Sequence, residues 1–157
     1  MLIHILGTSQ DGGYPQAGCR GECCLEAWNN TKAKRLVSSL AILSDDDCWI
    51  IDMTPDFSYQ LKIIERRLKV EPSICGIFIT HAHIGHYIGL MELGLEVMNT
   101  HAIPVYVMPK MKGFIEENAP FTQLVDLNNF MLALGNAKSC SLGGLTHLNA
   151  VGPLSLI

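Results

Sequence analysis

Thr80-His81-Ala82-His83-Ile84-Gly85-His86 places three of the chain's six histidines within six residues. The apolar run from Ile74 to Ile79 leads straight into it, partly β-branched and preceded by Pro72 and Ser73, and predicts a short buried strand. Ile88, Met91, Leu95 and Met98 follow at helical spacing and predict an amphipathic helix. The histidines therefore fall where a strand ends and a helix begins. Strand side chains alternate, so His81 and His83 point to one side if the chain stays extended. A third imidazole, His86, at the start of the next helix can converge with them on one point. Imidazole suits zinc, and also iron, copper and nickel, so the stretch is a candidate metal site.

The chain has 157 residues, enough for one domain with a core. Hydrophobic residues make up 48%, which argues against disorder. Charged residues are 17%, below the usual level of about 25%, which points to deep burial or an exposed apolar face. A net charge of -4 argues against a large basic nucleic-acid surface. No apolar run reaches the roughly 18 residues of a membrane helix. Met1 to Gly7 reads as a first strand and not as a signal peptide, so a cytoplasmic location is the expectation. In a reducing compartment the six cysteines are thiols or metal ligands and not disulfides.

Working outward from the histidines, residues 2 to 6 predict a strand in which His4 reads as a core histidine. Gly7 to Gly18 is a loop that lets backbone approach another group closely. It lacks the lysine and spacing of a phosphate-binding loop. Cys19, Cys23 and Cys24 offer three thiols without an evident fourth ligand: either reduced thiols at a loop-to-helix junction or a second, structural metal site. Residues 22 to 29 predict a short helix. Val37 to Leu43 and Cys48 to Ile51 predict two strands joined at Asp45-Asp46-Asp47. Thr54-Pro55 reads as cap and first position of a helix whose buried face is Phe57, Leu61, Ile64 and Leu68. Asp52, at a strand end, is placed either to cap the turn or to hold an imidazole by hydrogen bond, as carboxylates near zinc sites do. Ile103 to Met108 predicts another strand, Lys110 to Asn118 another helix, and His101 a surface residue. From residue 37 to 120 this is an α/β pattern with its site at strand ends. From Leu127 to the end the only charged side chain among Asp, Glu, Lys and Arg is Lys138. The expected organisation is residues 1–130 as the folded unit and 131–157 as an apolar tail.

His81-Ala82-His83-Ile84-Gly85-His86 resembles the HxHxDH signature of the metallo-β-lactamase superfamily. Leu6 to Gln16, with Cys19, Cys23 and Cys24, resembles the branch containing the pyrroloquinoline-quinone biosynthesis protein B. The resemblance covers residues 1 to about 130. It implies an αβ/βα sandwich, of which this chain holds roughly the N-terminal half, and one or two zinc ions. By position, His81 and His83 match ligands of the first metal site and His86 a ligand of the second. A metal-held hydroxide would attack a carbonyl, phosphoryl or thioester centre of a small-molecule substrate. Gly85 stands where the signature has aspartate, which favours one ion over two. His147 is the late histidine available as a further first-site ligand, since a catalytic zinc takes three protein ligands. Asp52 is the carboxylate assigned to the catalytic machinery. The function expected is a zinc-dependent hydrolase. The alternative is a non-catalytic relative that keeps a partial metal site and acts as an interaction module. A half sandwich leaves one sheet face open, so the expectation is that the chain pairs with itself through that face, pairs with another polypeptide, or folds poorly. Neither nucleic acid, membrane nor redox cofactor is indicated.

Overall fold

A computed structural model of the chain describes residues 1–134. Six strands form one sheet in sequence order: β1 (Leu2–Gly7), β2 (Ser39–Ser44), β3 (Asp47–Ile51), β4 (Ser73–Phe78), β5 (Ile103–Val107) and β6 (Phe130–Leu134). β1, β2 and β3 pair antiparallel, and β3 through β6 pair parallel. The helices are α1 (Glu22–Asn29), α2 (Phe57–Leu68), α3 (Ile84–Tyr87), α4 (Pro109–Glu117) and α5 (Phe121–Asp126), with short 3-10 turns at Thr31–Ala33 and Ile88–Leu93. Among the described residues no helix is long and apolar enough to cross a membrane.

Alternation sorts the sheet into two faces. Ala41, Leu43, Cys48, Ile50, Ile77, Val105, Val107 and Phe130 turn inward and are buried with Phe57 and Ile64 of α2, Met111 and Ile115 of α4, and Phe121 and Leu124 of α5. Their neighbours turn the other way. In register, Ile3 meets Ile42 and Ile42 meets Trp49. Ile51 meets Phe78, and Phe78 meets Tyr106, whose ring stacks on it at 4.8 Å. This outer face is apolar across the sheet, with Ile3 and Ile5 more than 60% exposed. Spacing of about 4.8 Å between six strands and about 3.3 Å per residue gives it an area of roughly 500 Å².

The start of α2 is tied to the start of β2. Asp56 Oδ2 accepts from the Val37 amide at 2.8 Å, and the buried Gln60 donates to the Val37 carbonyl at 2.8 Å while accepting from Thr54 Oγ1 at 2.9 Å. These bonds fix the chain that leaves β3 at Asp52.

Several boundaries differ from expectation. Helix α2 begins at Phe57 with Asp56 as its cap residue, two positions later than Thr54-Pro55 suggests. Thr54 Oγ1 instead accepts from the Asp56 amide, closing a turn before the helix. β2 begins at Ser39, because Leu36 and Val37 are used by the β1 loop: the Thr8 and Ser9 amides both donate to Leu36 O, and Val37 bridges Ser9. The amphipathic helix expected through Met98 does not form. α3 is one turn, a 3-10 turn carries the chain to Leu93, and Leu95 is exposed. Gly89 explains why: it lies against the 53–54 backbone, where a Cβ would stand 2.3 Å from Thr54 O. That contact draws the segment in and breaks the helical period. α5 and β6 were not foreseen. The division expected at residue 130 falls inside β6, whose residues 131–134 pair with β5.

Candidate metal centre

The centre forms where β3 and β4 end side by side. Beyond β3 the Asp52 amide donates to Phe78 O at 2.8 Å, and the Met53 amide to His86 O at 2.8 Å. Asp52 takes a left-handed conformation, with φ of 65°, and is 6% exposed. This turn aims its carboxylate along the end of β4. Oδ1 accepts from the Thr80 amide at 2.8 Å, both oxygens lie within 2.9 Å of Thr80 Oγ1, and Oδ2 lies 2.8 Å from His86 Nδ1. Thr80 Oγ1 also lies 2.8 Å from His81 Nδ1.

The hydrogen-bond inventory orders these contacts. A carboxylate only accepts, so the Thr80 hydroxyl donates to Asp52 and accepts from His81 Nδ1–H. His86 Nδ1–H likewise donates to Asp52. Both imidazoles are thus pinned through Nδ1, which turns Nε2 of His81 toward His83 Nδ1 at 3.1 Å and Nε2 of His86 away from Asp52. Their ring centroids are 4.1 Å apart.

A second carboxylate meets them from the β1 loop. Gln10 shapes a tight turn: its carbonyl accepts from Gly13 N at 2.8 Å and its side-chain oxygen from Gly12 N at 2.9 Å. Asp11 at the tip places Oδ1 2.9 Å from His86 Nε2 and Oδ2 3.2 Å from His83 Nδ1. Ligand atoms of Asp11, His81 and His86 lie within 4.8 Å of one another. His86 therefore has a carboxylate at each ring nitrogen, an arrangement that is satisfied when a cation, proton or metal, sits at Nε2. The donor set of imidazoles and a carboxylate is one that zinc accepts. Burial works against the Asp11 charge, but the hydrogen bond to His86 and the charges of His86 and His83 outweigh it and hold the carboxyl below its usual range. Burial, then the neighbouring His86 charge, pushes the His81 imidazole down, which favours the neutral form that binds a metal.

Of the residues singled out from sequence, His81, His86 and Asp52 converge. His83 is exposed at the rim, with Nδ1 3.1 Å from His81 Nε2. His147 lies outside the described residues. His101 is exposed and His4 only half buried. Asp11 was missed. The signal was present as an Asp-Gly-Gly turn, but the residue lies 75 positions from His86 and nothing in its spacing ties it to the motif.

Cys19, Cys23 and Cys24 form a second cluster, with sulfur atoms within 4.8 Å of one another around the start of α1. Hydrogen bonds from Cys24 and then Gly21 pull the Cys19 thiol down. Among the described residues no fourth metal-ligating side chain joins these three.

No protein-family model matches the chain. Coenzyme PQQ synthesis protein B from Xanthomonas axonopodis pv. citri is 31% identical over 101 residues, 59% of this chain and 33% of the relative. The protein of that name from Xanthomonas euvesicatoria pv. vesicatoria is 27% identical over 129 residues, 77% of this chain and 42% of the relative. The crystal structure of zinc-bound PqqB from Methylobacterium extorquens superposes with a TM-score of 0.70 at 23% identity, covering 84% of this chain and 48% of that one. A diphosphatase from the PhnP family superposes with a TM-score of 0.65 at 22% identity, covering 90% and 53%. The chain spans between a third and a half of the length of the relatives it matches. It has a metallo-β-lactamase fold over roughly half of that fold's length, and its sequence is similar to part of the Coenzyme PQQ synthesis protein B relatives.

Proposed function

We propose that this chain carries the metal centre of a zinc-dependent hydrolase of the metallo-β-lactamase superfamily. The observation that carries the reading is the meeting of His81, His86 and Asp11 at the ends of β3 and β4, with both His81 and His86 held through Nδ1. His81 and His86 would hold the ion through Nε2, with His83 at the rim. A zinc ion held there would supply a nucleophile at neutral pH, by lowering the pKa of water. The chain's own part is orientation. Asp52 and Thr80 fix the tautomers and ring planes of the two imidazoles, and the buried 52–54 turn holds them at the strand ends. Similarity to a zinc-bound PqqB and to a diphosphatase supports the reading. Screening esters, thioesters and phosphodiesters tests it. Metal-dependent turnover lost in His81→Ala and His86→Ala supports hydrolysis, and turnover retained in both variants overturns it.

The outer sheet face favours a second reading, an interaction module whose partner is a second copy of the chain. The face is apolar apart from Asp47 at one end of β3, so pairing two copies buries apolar surface against apolar surface with Asp47 left at the rim.

A further inference from the structure

We infer that Asp11 supplies, from the β1 loop, the ligand carboxylate that the histidine motif itself lacks at Gly85. The inference rests on the metal-centre reading and names one more of its ligands. Two observations meet at one point. Gly85 is buried, and a Cβ there would stand 2.7 Å from both Cα and Cβ of Asp11 and 2.8 Å from its carbonyl oxygen. The backbone of residue 11 thus fills the space that a side chain at 85 would need. From that position the Asp11 carboxylate reaches His86 Nε2 at 2.9 Å and His83 Nδ1 at 3.2 Å.

The glycine and the aspartate are therefore one device. A side chain at 85 and the 10–13 turn at its present place exclude each other. With Gly85, the turn closes onto α3 and its tip places a carboxylate oxygen 2.9 Å from His86 Nε2, where the two can share one ion. Removal of the motif's own carboxylate does not leave the centre with imidazoles alone. The charge arrives from a loop 75 residues away. The Gln10 contacts that shape this turn, to Gly12 N, Gly13 O and Gln16 Oε1, become positioning contacts for a ligand.

The test uses the 157-residue chain with Cys19→Ser and Cys23→Ser, so that the thiol cluster takes no metal. Zinc affinity is measured by competition with a chromophoric chelator, with a thermal melt of each apoprotein. Asp11→Asn keeps the side chain's shape and removes its charge, and affinity is expected to fall at least tenfold with the melt unchanged. Gly85→Ala removes no ligand but pushes the turn away, and a similar loss is expected. Asp11→Cys, loaded with cobalt(II), is expected to show a sulfur-to-cobalt charge-transfer band absent from the Asp11 parent. That band reports ligation directly and would not arise from a merely structural residue. Unchanged affinity in Asp11→Asn, or no such band in a folded, cobalt-loaded Asp11→Cys, overturns the inference while leaving the metal centre standing. Absence of zinc binding by the Asp11 parent overturns the metal centre itself, and the inference with it.

Discussion

Asp52 Oδ2 lies 2.8 Å from His86 Nδ1, and the carboxylate is buried at the end of β3. This contact decides which nitrogen of His86 is turned toward Asp11 and the proposed metal position. Asp52→Asn reverses it, because the new amide can donate to Nδ1 and leave the proton on Nε2. Asparagine tolerates the left-handed backbone at this position, so the fold should persist. Zinc affinity is predicted to fall about 10–100-fold, as for other partners that orient a metal-binding imidazole. Calorimetric titration of the folded variant checks this, and wild-type affinity would contradict it.

Gly89 and Gly113 separate close approach from helix propensity. A Cβ at Gly89 would meet Thr54 O at 2.3 Å and Met53 backbone at 2.8 Å, whereas nothing lies within 4 Å of one at Gly113 in α4. Gly89→Ala is predicted to destabilise by about 2 kcal/mol or more, since backbone must shift. Gly113→Ala is predicted to stabilise by about 0.5–1 kcal/mol. Urea unfolding of the two variants measures both signs.

The meeting of His81 and His86 was legible because its parts are local, the end of an apolar strand and the start of a helix, whereas the period of two that pairs His81 with His83 leaves His83 exposed at the rim. Asp52 was legible for a related reason, as a carboxylate at the end of a neighbouring strand. Asp11 was not, because its role depends on a loop folding back over 75 residues of sequence onto a glycine. Gly85 read from sequence as a missing ligand, and only the packing shows what occupies its place. The helix expected from Ile88 to Met98 failed for the same kind of reason. Its apolar spacing was real, but Gly89 docks on the 53–54 backbone, and tertiary contact overrode the period. β6 escaped notice because five residues of an apolar tail carry no alternating pattern.

Burial, and to a lesser degree Cys75, pushes the Cys48 thiol up to about 12. An unfolded cysteine ionises near about 8.5. Between those values the folded chain holds a proton that the unfolded chain has lost, so this group lowers stability as pH rises through that window. The contribution at pH 10 is about 1–2 kcal/mol. Wild type should lose that much more stability between pH 7 and pH 10 than Cys48→Ala, and parallel pH profiles would contradict it. In thiol labelling at pH 8, Cys48 should react last.

The outer sheet face predicts self-association. Sedimentation should give a species of about twice 17.3 kDa at high concentration. Ile5→Lys, on the exposed edge of that face, should shift it to monomer without altering the melt. A wild-type monomer at every concentration, or a dimer that survives Ile5→Lys, would contradict pairing through this face.

The most direct measurement is zinc bound per chain, by elemental analysis after equilibration with buffered zinc, for the Cys19→Ser/Cys23→Ser chain and the same chain with His81→Ala and His86→Ala. The account predicts about one zinc in the parent and none held at the same free zinc once both histidines are gone. Equal zinc in the two, or none in a folded parent, would contradict a metal centre at the ends of β3 and β4.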